Sequence, residues 1–205
     1  RAASREDAQR RLPASAVRAV QQGEWCVVLT ADSSSGDQPA GDLRVSVPAS
    51  VLESRIETRS GGLRARGLRG DISLATGAGS VQLEDLSGAV SARTGGGAID
   101  AGRLDGSLHC LSGGGNINVT RVSREAVLES AGGEINVDEA GGRLRLSTSG
   151  NIRVGRAAAD VFAFTRGGII DVASAAGTVS AENGGGAIQV GKAHGVRCES
   201  ARGSI

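Results

Sequence analysis

A column of short polar side chains is the first feature of this sequence that could carry chemistry. Its members, most of them 18 residues apart, are Thr58, Thr76, Thr94, Ser112, Ser130, Thr148, Asn183 and Ser200. A regular row of hydroxyls would suit ice binding or nucleophilic catalysis by serine. These hydroxyls, however, fall on the same alternate positions of the strand as the neighbouring apolar residues, and they adjoin a glycine-rich corner. We therefore predict a structural role, with hydrogen bonds along the stack and to the corner backbone.

Carboxylates and histidines are the next candidates. Asp100 and Asp171 belong to an outward column in which the residue type changes from coil to coil. Its members are Arg64, Gln82, Asp100, Asn118, Asn136, Arg153, Asp171 and Gln189. Such a column forms no repeated carboxylate cage for calcium and indicates a solvated face. His109 lies in another outward column and His194 at a corner, and neither has a partner at metal-ligand spacing. We predict no catalytic residue, no metal site and no cofactor.

The three cysteines, Cys26, Cys110 and Cys198, are odd in number and widely spaced, which argues against a disulfide framework. Cys110 and Cys198 fall in one inward column, five coils apart. At ~4.8 Å per coil they lie roughly 24 Å from each other, beyond the reach of a disulfide bond. We interpret the cysteines as small buried apolar side chains.

An 18-residue repeat positions all these residues. From Asp71 to Gly142 the chain reads as four aligned lines: DISLATGAGSVQLEDLSG, AVSARTGGGAIDAGRLDG, SLHCLSGGGNINVTRVSR and EAVLESAGGEINVDEAGG. Apolar residues fall in columns, for example Val81, Ile99, Ile117 and Ile135. A short, regular period predicts an all-β fold, a single-stranded parallel β-solenoid (β-helix) with coils of about 18 residues. Eight or nine coils would be roughly 40 Å long.

Each coil should contain two short strands joined by corners. A glycine-rich corner such as Gly95–Gly97 follows the hydroxyl column, and we expect glycine there because the chain turns sharply, often through positive φ. A second corner carries one inward apolar residue, as at Leu86. After Gly142 the corner STSGN is shorter, so Ile152 arrives one residue early. Phe162 and Phe164 are predicted to point inward and to widen the core.

The sequence divides into two parts. Residues 1–50 are predicted to form a capping segment with irregular first coils, including a helical turn after Ser4 and strands at 16–20, 24–31 and 43–47. Residues 51–205 are predicted to form the regular solenoid as one continuous domain. The sequence stops at Ile205 within a strand, and an uncapped β edge is a template for pairing. Val196, Cys198 and Ile205 are therefore a candidate end-to-end interaction coil.

Composition restricts the partners. The net charge is +1 and the only aromatic residues are Trp25, Phe162 and Phe164, so the basic stripe and stacking rings of nucleic-acid binding are missing. No apolar run reaches the ~20 residues of a transmembrane segment. Glycan binding would need an outward cluster of acidic and aromatic residues on adjacent coils, which the columns do not supply. Protein partners, bound through sheet faces or the open end, are the favoured prediction.

The region from Val45 to Ile205 resembles a known bacterial family. VSVPAS (Val45–Ser50) leads into LESRIETRSGGLRARGLRGDISLATGAGSVQLEDLSG (Leu52–Gly88), and REDAQRR (Arg5–Arg11) precedes them. These segments are similar to the LiaG-type adhesin domain of unknown function, with its recurring Thr-x-Ser-Gly-x-Ile-x-Val units, although Gly-Gly-Gly often replaces Ser-Gly here. The resemblance implies a non-enzymatic, envelope-associated β-solenoid and supplies no functional residues.

These observations together favour a structural or protein-interaction module, adhesin-like, in a cell-envelope assembly. The location alternative is an organelle, because the sequence begins at Arg1 without methionine and a signal or transit segment could have been removed. The functional alternatives are an end-to-end polymerising scaffold and a glycan-binding β-helix.

Overall fold

The computed structural model describes residues 16–21, 26–32 and 52–205, and it confirms an all-β parallel solenoid of about eight turns. The predicted helical turn after Ser4 and the predicted strand at 43–47 lie outside the described residues. Eighteen strands are described: β1 (Ala16–Gln21), β2 (Cys26–Asp32), β3 (Glu53–Thr58), β4 (Leu63–Arg66), β5 (Asp71–Thr76), β6 (Val81–Glu84), β7 (Leu86–Thr94), β8 (Ile99–Ser112), β9 (Ile117–Val122), β10 (Ala126–Ser130), β11 (Ile135–Ala140), β12 (Leu144–Thr148), β13 (Ile152–Ala157), β14 (Val161–Thr165), β15 (Ile170–Ala175), β16 (Thr178–Asn183), β17 (Ile188–Lys192) and β18 (Gly195–Ser200).

The strands form two faces, each a ladder of parallel pairs. Face 1 contains, in order along the axis, β3, β5, β7, the second half of β8, β10, β12, β14, β16 and β18. Face 2 contains β4, β6, the first half of β8, β9, β11, β13, β15 and β17. The glycine-rich corner leads from face 1 to face 2, and the second corner leads to the next coil.

The predicted apolar columns form the core. In the middle coils, the inward side chains of both faces and of the second corner are almost completely buried, whereas those of the first and last described coils are partly exposed. Partners in register follow the sequence columns, for example Leu128 between Cys110 and Leu146. The strands alternate buried and exposed positions because successive side chains of a strand point to opposite sides. The apolar columns therefore form one continuous core along the axis of the solenoid.

A hairpin precedes the solenoid. β1 and β2 pair antiparallel, and β2 pairs in parallel with β3, in the register Cys26 to Glu53. The hairpin therefore continues face 1 beyond its first regular strand, at the positions where strands were predicted. The boundary between residues 50 and 51 stays a prediction.

The two phenylalanines occupy a different position from the one predicted. Val161 and Ala163 are the inward residues of β14, in register with Leu144 and Leu146. Phe162 and Phe164 point outward and are 39% and 44% exposed. The short corner before Ile152 removes one residue, and a one-residue shift turns every later side chain to the other side of the strand. The prediction of an aromatic core in this coil was wrong.

The glycine-rich corners also have another physical basis than predicted. Among the described residues, glycines with positive φ are Gly67, Gly70 and Gly88, all near the second corner. In the glycine-rich corners, a Cβ on Gly97 or Gly115 would overlap the carbonyl oxygen of the equivalent glycine one coil earlier. Close stacking of backbone on backbone, and not positive φ, therefore requires glycine at these corners.

Candidate functional site

From Thr76 to Asn183 the hydroxyl column is buried and hydrogen-bonded to backbone. Thr94 Oγ1 donates to the carbonyl oxygen of Gly79 at 2.8 Å and accepts from the Gly97 amide at 3.0 Å. Ser112 repeats the pattern one coil later, donating to Gly97 and accepting from Gly115. The same two-way bonding recurs at Thr76, Ser130, Thr148, Thr165 and, through its amide, Asn183. These side chains tie neighbouring coils together, which confirms the predicted structural role.

Thr165 was missed as a member of this column. It is 0% exposed and donates to the carbonyl oxygen of Gly150 at 2.7 Å. Its place 17 residues after Thr148 is the signal that could have identified it, because the preceding corner is one residue short. In the described part of the chain, every buried side-chain nitrogen or oxygen has a hydrogen-bond partner.

The outward column of face 2 forms a polar ladder. Asn118 Nδ2 donates to Asp100 Oδ1 at 2.8 Å, and Asn136 Nδ2 donates to Asn118 Oδ1 at 3.0 Å. Asp171 lies between Arg153 and Gln189 in register. Four coil steps separate Asp100 from Asp171, roughly 19 Å at ~4.8 Å per step. Paired carboxylates of glycosidases lie about 5–10 Å apart, so these two residues do not form such a pair.

Cys110 and Cys198 lie in one inward column, as predicted. Cys110 is 0% exposed, and burial raises the pKa of its thiol far above the ordinary value. Cys198 is half-buried, and burial raises the pKa of its thiol as well. A raised pKa keeps a thiol protonated at neutral pH, when only the thiolate is strongly nucleophilic. Cys110 in particular is a packing residue.

The remaining ionisable side chains are spread out. His109 and His194 are exposed on separate coils. Within the described residues no three His, Cys, Asp or Glu side chains come close enough together to hold a metal ion. The same part of the chain contains no helix of sufficient length and apolar character to cross a membrane.

Face 1 carries the two exposed phenylalanines of the solenoid. Phe162 and Phe164 project from β14, and the Arg145 guanidinium lies 5.9 Å from the centre of the Phe162 ring. Small and half-buried side chains dominate the earlier strands, so a shallow open groove of about 630 Å³ runs along the corner side of this face and ends at Phe164. Leu111 lies in the floor of this groove. Face 1 therefore combines two protruding aromatic side chains with a shallow groove.

The predicted end-to-end coil is described in full. Cys198 pairs in register with Ala181, and Val196 with Val179, so both continue inward columns. Val196 is nevertheless 55% exposed and Ile205 72% exposed, because no coil stacks on this side of β18 among the described residues. The structure brings Val196 and Cys198 together on one strand, and Ile205 follows on the adjoining corner.

Comparisons with known proteins leave the function to be argued from the residues. No protein-family model, no curated protein and no solved structure matches this chain. The resemblance to the LiaG-type adhesin domain therefore stays a prediction, while the parallel β-solenoid fold is established by the strand register.

Proposed function

We propose that this chain is a structural and protein-interaction module, not an enzyme, which presents the flat faces of a rigid solenoid to protein partners. The observation that carries the proposal is the hydroxyl column. Its hydroxyls could have served as nucleophiles, but each described member from Thr76 to Thr165 is bonded to backbone of its own coil and of the preceding coil. The hydroxyl groups of this column are thus used to hold neighbouring coils together.

The outward surface supports the same proposal. Its polar side chains bond mainly to their counterparts one coil away, as Asn118 does to Asp100 and Arg121 does to Glu139. Such ladders stiffen a surface. A catalytic site requires several groups directed at one point, and these ladders do not provide that arrangement. The sequence resemblance supports a location at the cell envelope, with an organelle as the alternative.

A complementation experiment tests the proposal. In a strain lacking the gene, a triple variant, Asp100→Asn, Asp171→Asn and His194→Gln, should restore the wild-type phenotype, because it removes ionisable groups but keeps the stack. Gly115→Val, which blocks the stacking of one corner, should not. A folded triple variant that fails to restore the phenotype would contradict the structural role and favour catalysis.

End-to-end assembly is a second candidate function. It is favoured by the exposure of two apolar side chains, Val196 on β18 and Ile205 in the segment that follows it. Contact with another solenoid end would bury them and pair the outer edge of β18. Light scattering over a range of concentrations should then show long species, which Val196→Lys abolishes without loss of β signal. A mass that does not change with Val196→Lys would refute it.

A further inference from the structure

Face 1 bears four charged side chains that form no ion pair within the described chain. Arg93, Glu129, Arg145 and Glu182 are exposed on four different strands in the middle of this face. The described ion pairs lie elsewhere, within β3, within β18, on face 2 and near the second corner. These two positive and two negative charges balance one another, and they leave the middle of the face ready to pair with a complementary surface.

The order of these side chains along the axis is symmetric about the line between β10 and β12. Glu129 and Arg145 lie on the strands next to this line, and Leu111 and Phe164 lie one strand further out on either side. Arg93 and Glu182 lie one strand beyond those. Each basic residue thus has an acidic residue at the same distance on the other side of this line. In the same way, the groove residue Leu111 has the protruding Phe164 on the other side.

We propose that face 1 binds a second copy of this chain through a two-fold axis that runs along the strands between β10 and β12. This inference rests on the proposed role as a protein-interaction module and names its partner. Such an axis keeps each position along a strand and reverses the order of the strands. Strand β12 then faces β10 of the second copy, β14 faces β8, and β16 faces β7.

This arrangement matches the chemistry of the two surfaces. Phe164 faces Leu111 of the second copy, in the groove, and Phe162 faces His109, so exposed apolar and aromatic surface becomes buried. Glu182 faces Arg93. Arg145 lies diagonally across from Glu129, within the reach of a long side chain. The two-fold axis makes every contact twice. Beside the axis, Glu129 and Arg145 each lie about one strand spacing from the same residue of the second copy, and two diagonal Arg145–Glu129 contacts accompany these like-charge approaches.

Other symmetric packings satisfy the face less well. A two-fold axis parallel to the solenoid would place Phe162 against Phe164. Glu182 would then face Ser180 and Arg93 would face Ser91, so both charges would lose water without a partner directly opposite, which is costly. Of the two axes, the axis along the strands is the one that sets Glu182 opposite Arg93 and Phe164 opposite Leu111.

The size of the contact is sufficient for a stable dimer. Eight coils overlap, from β5 to β18, so the shared surface is roughly 38 Å by 16 Å at ~4.8 Å between strands and ~3.3 Å per residue. The two copies together would bury about 1,200 Å², the lower end of the range for specific stable interfaces. We therefore expect a dimer whose affinity is sensitive to single charge changes.

Charge exchange tests the arrangement. Light scattering and sedimentation should show a dimer for the wild-type chain. Arg93→Glu and Glu182→Arg should each weaken dimerisation by at least about tenfold, because each opposes like charges twice. The double variant should return to within about threefold of the wild type, since it recreates both pairs in reverse. Arg103→Glu makes the same charge change on the second corner and should leave the dimer intact.

A cross-link provides a second readout. Ser91 and Ser180 face each other across the proposed interface, but within one chain they are five coils apart, roughly 24 Å, too far for a disulfide bond. The double variant Ser91→Cys/Ser180→Cys should form a covalent dimer on oxidation, and neither single variant should. A wild-type chain that is monomeric at all concentrations, or a double charge variant no tighter than the singles, would overturn the proposal. So would a monomer that binds an oligosaccharide through Phe162 and Phe164.

The outcome is separable from that of the proposed function. A dimer with the expected charge dependence would stand even if the triple variant failed to complement, in which case the dimer would be catalytic. A monomer with normal complementation by the triple variant would refute the second copy as partner and leave the structural role intact.

Discussion

Thr94 and Gly79 lie in adjacent coils, and the Thr94 hydroxyl donates a hydrogen bond of 2.8 Å to the Gly79 carbonyl oxygen. The same hydroxyl accepts the amide of Gly97 in its own coil at 3.0 Å. One buried side chain therefore fixes both the shape of a corner and its stacking on the corner below. Because this relationship recurs along the axis, the corner contributes directly to the rigidity of the solenoid.

Removal of the Thr94 hydroxyl should destabilise the protein. Thr94→Val keeps the shape of the side chain but leaves a buried amide and a buried carbonyl without this partner, at a cost of about 1–3 kcal/mol. Thr94→Ser keeps both hydrogen bonds and should cost about 0.8 kcal/mol for the lost methyl group. Chemical denaturation followed by circular dichroism measures both. Equal losses for the two variants would show that the hydroxyl is not what matters.

Neighbouring glycines in one corner should differ sharply in their tolerance of alanine. A Cβ on Gly115 would overlap backbone atoms of Gly97, which cannot move aside without disturbing the coil below. We expect Gly115→Ala to cost at least about 3 kcal/mol. A Cβ on Gly114 meets nothing within 4 Å, so Gly114→Ala should be neutral or stabilise by up to about 1 kcal/mol.

The measurement for the glycine pair is the free energy of unfolding of each variant under the same conditions. If the corners required glycine only for flexibility of the chain, the two substitutions would have similar effects. Similar effects would therefore contradict the stacking explanation.

The register of β14 can be tested with two residues of that strand. Val161 is 0% exposed, and Val161→Ala should cost about 1.5–3 kcal/mol from lost burial. Phe164 is on the solvent side, and Phe164→Thr should change the stability of the monomer by only about 0.5 kcal/mol. The comparison is made by denaturation at a concentration below that of any self-association. A larger loss of stability for Phe164→Thr than for Val161→Ala would indicate that the phenylalanines point inward.

The Cys110 thiol should resist alkylation in the folded protein. Burial raises its pKa, so at pH 8 it is protonated as well as shielded, while the half-buried Cys198 is more accessible. Iodoacetamide treatment followed by peptide mass spectrometry should show modification of Cys198 well before Cys110. Equal rates at the two cysteines would indicate that the core opens readily.

The same burial gives a pH dependence. The folded-state pKa of Cys110 is raised above the ordinary 9.0, so its contribution to stability is complete below pH 9. Above pH 9 the unfolded chain releases the thiol proton and the folded chain does not, so stability should fall by up to about 1.4 kcal/mol per pH unit. Cys110→Ala should remove this part of the decline. An unchanged slope in the variant would refute the assignment.

Most of the fold could be predicted because its signals are periodic. Columns such as Val81, Ile99 and Ile117 repeat at one spacing, and each strand alternates apolar and polar residues, so both the coil and its inward side can be read from the chain. The separation of Cys110 and Cys198 and the outward position of His109 followed from the same period. These features depend on local patterning, which a sequence displays directly.

The errors have two origins. An unbroken 18-residue spacing assigns Phe162 to the core, but the shortened corner before Ile152 moves Val161 there, nine residues after Ile152 just as Leu144 follows Ile135 by nine. The missing column member Thr165 follows from the same shift. The role of glycine at Gly115 depended on the distance to the coil below, which no local pattern reports.

The sequence by itself determined the architecture of this protein: a parallel solenoid, its coil length and the columns that form its core. Tertiary structure decided how closely neighbouring corners stack, which leaves no room for a side chain at Gly115, and it decided which outward side chains meet on face 1, where Arg145 lies over the Phe162 ring. The physical reason is that hydrophobic periodicity specifies a coil locally, whereas the distance between corners and the neighbours of an outward side chain depend on how one coil stacks on another.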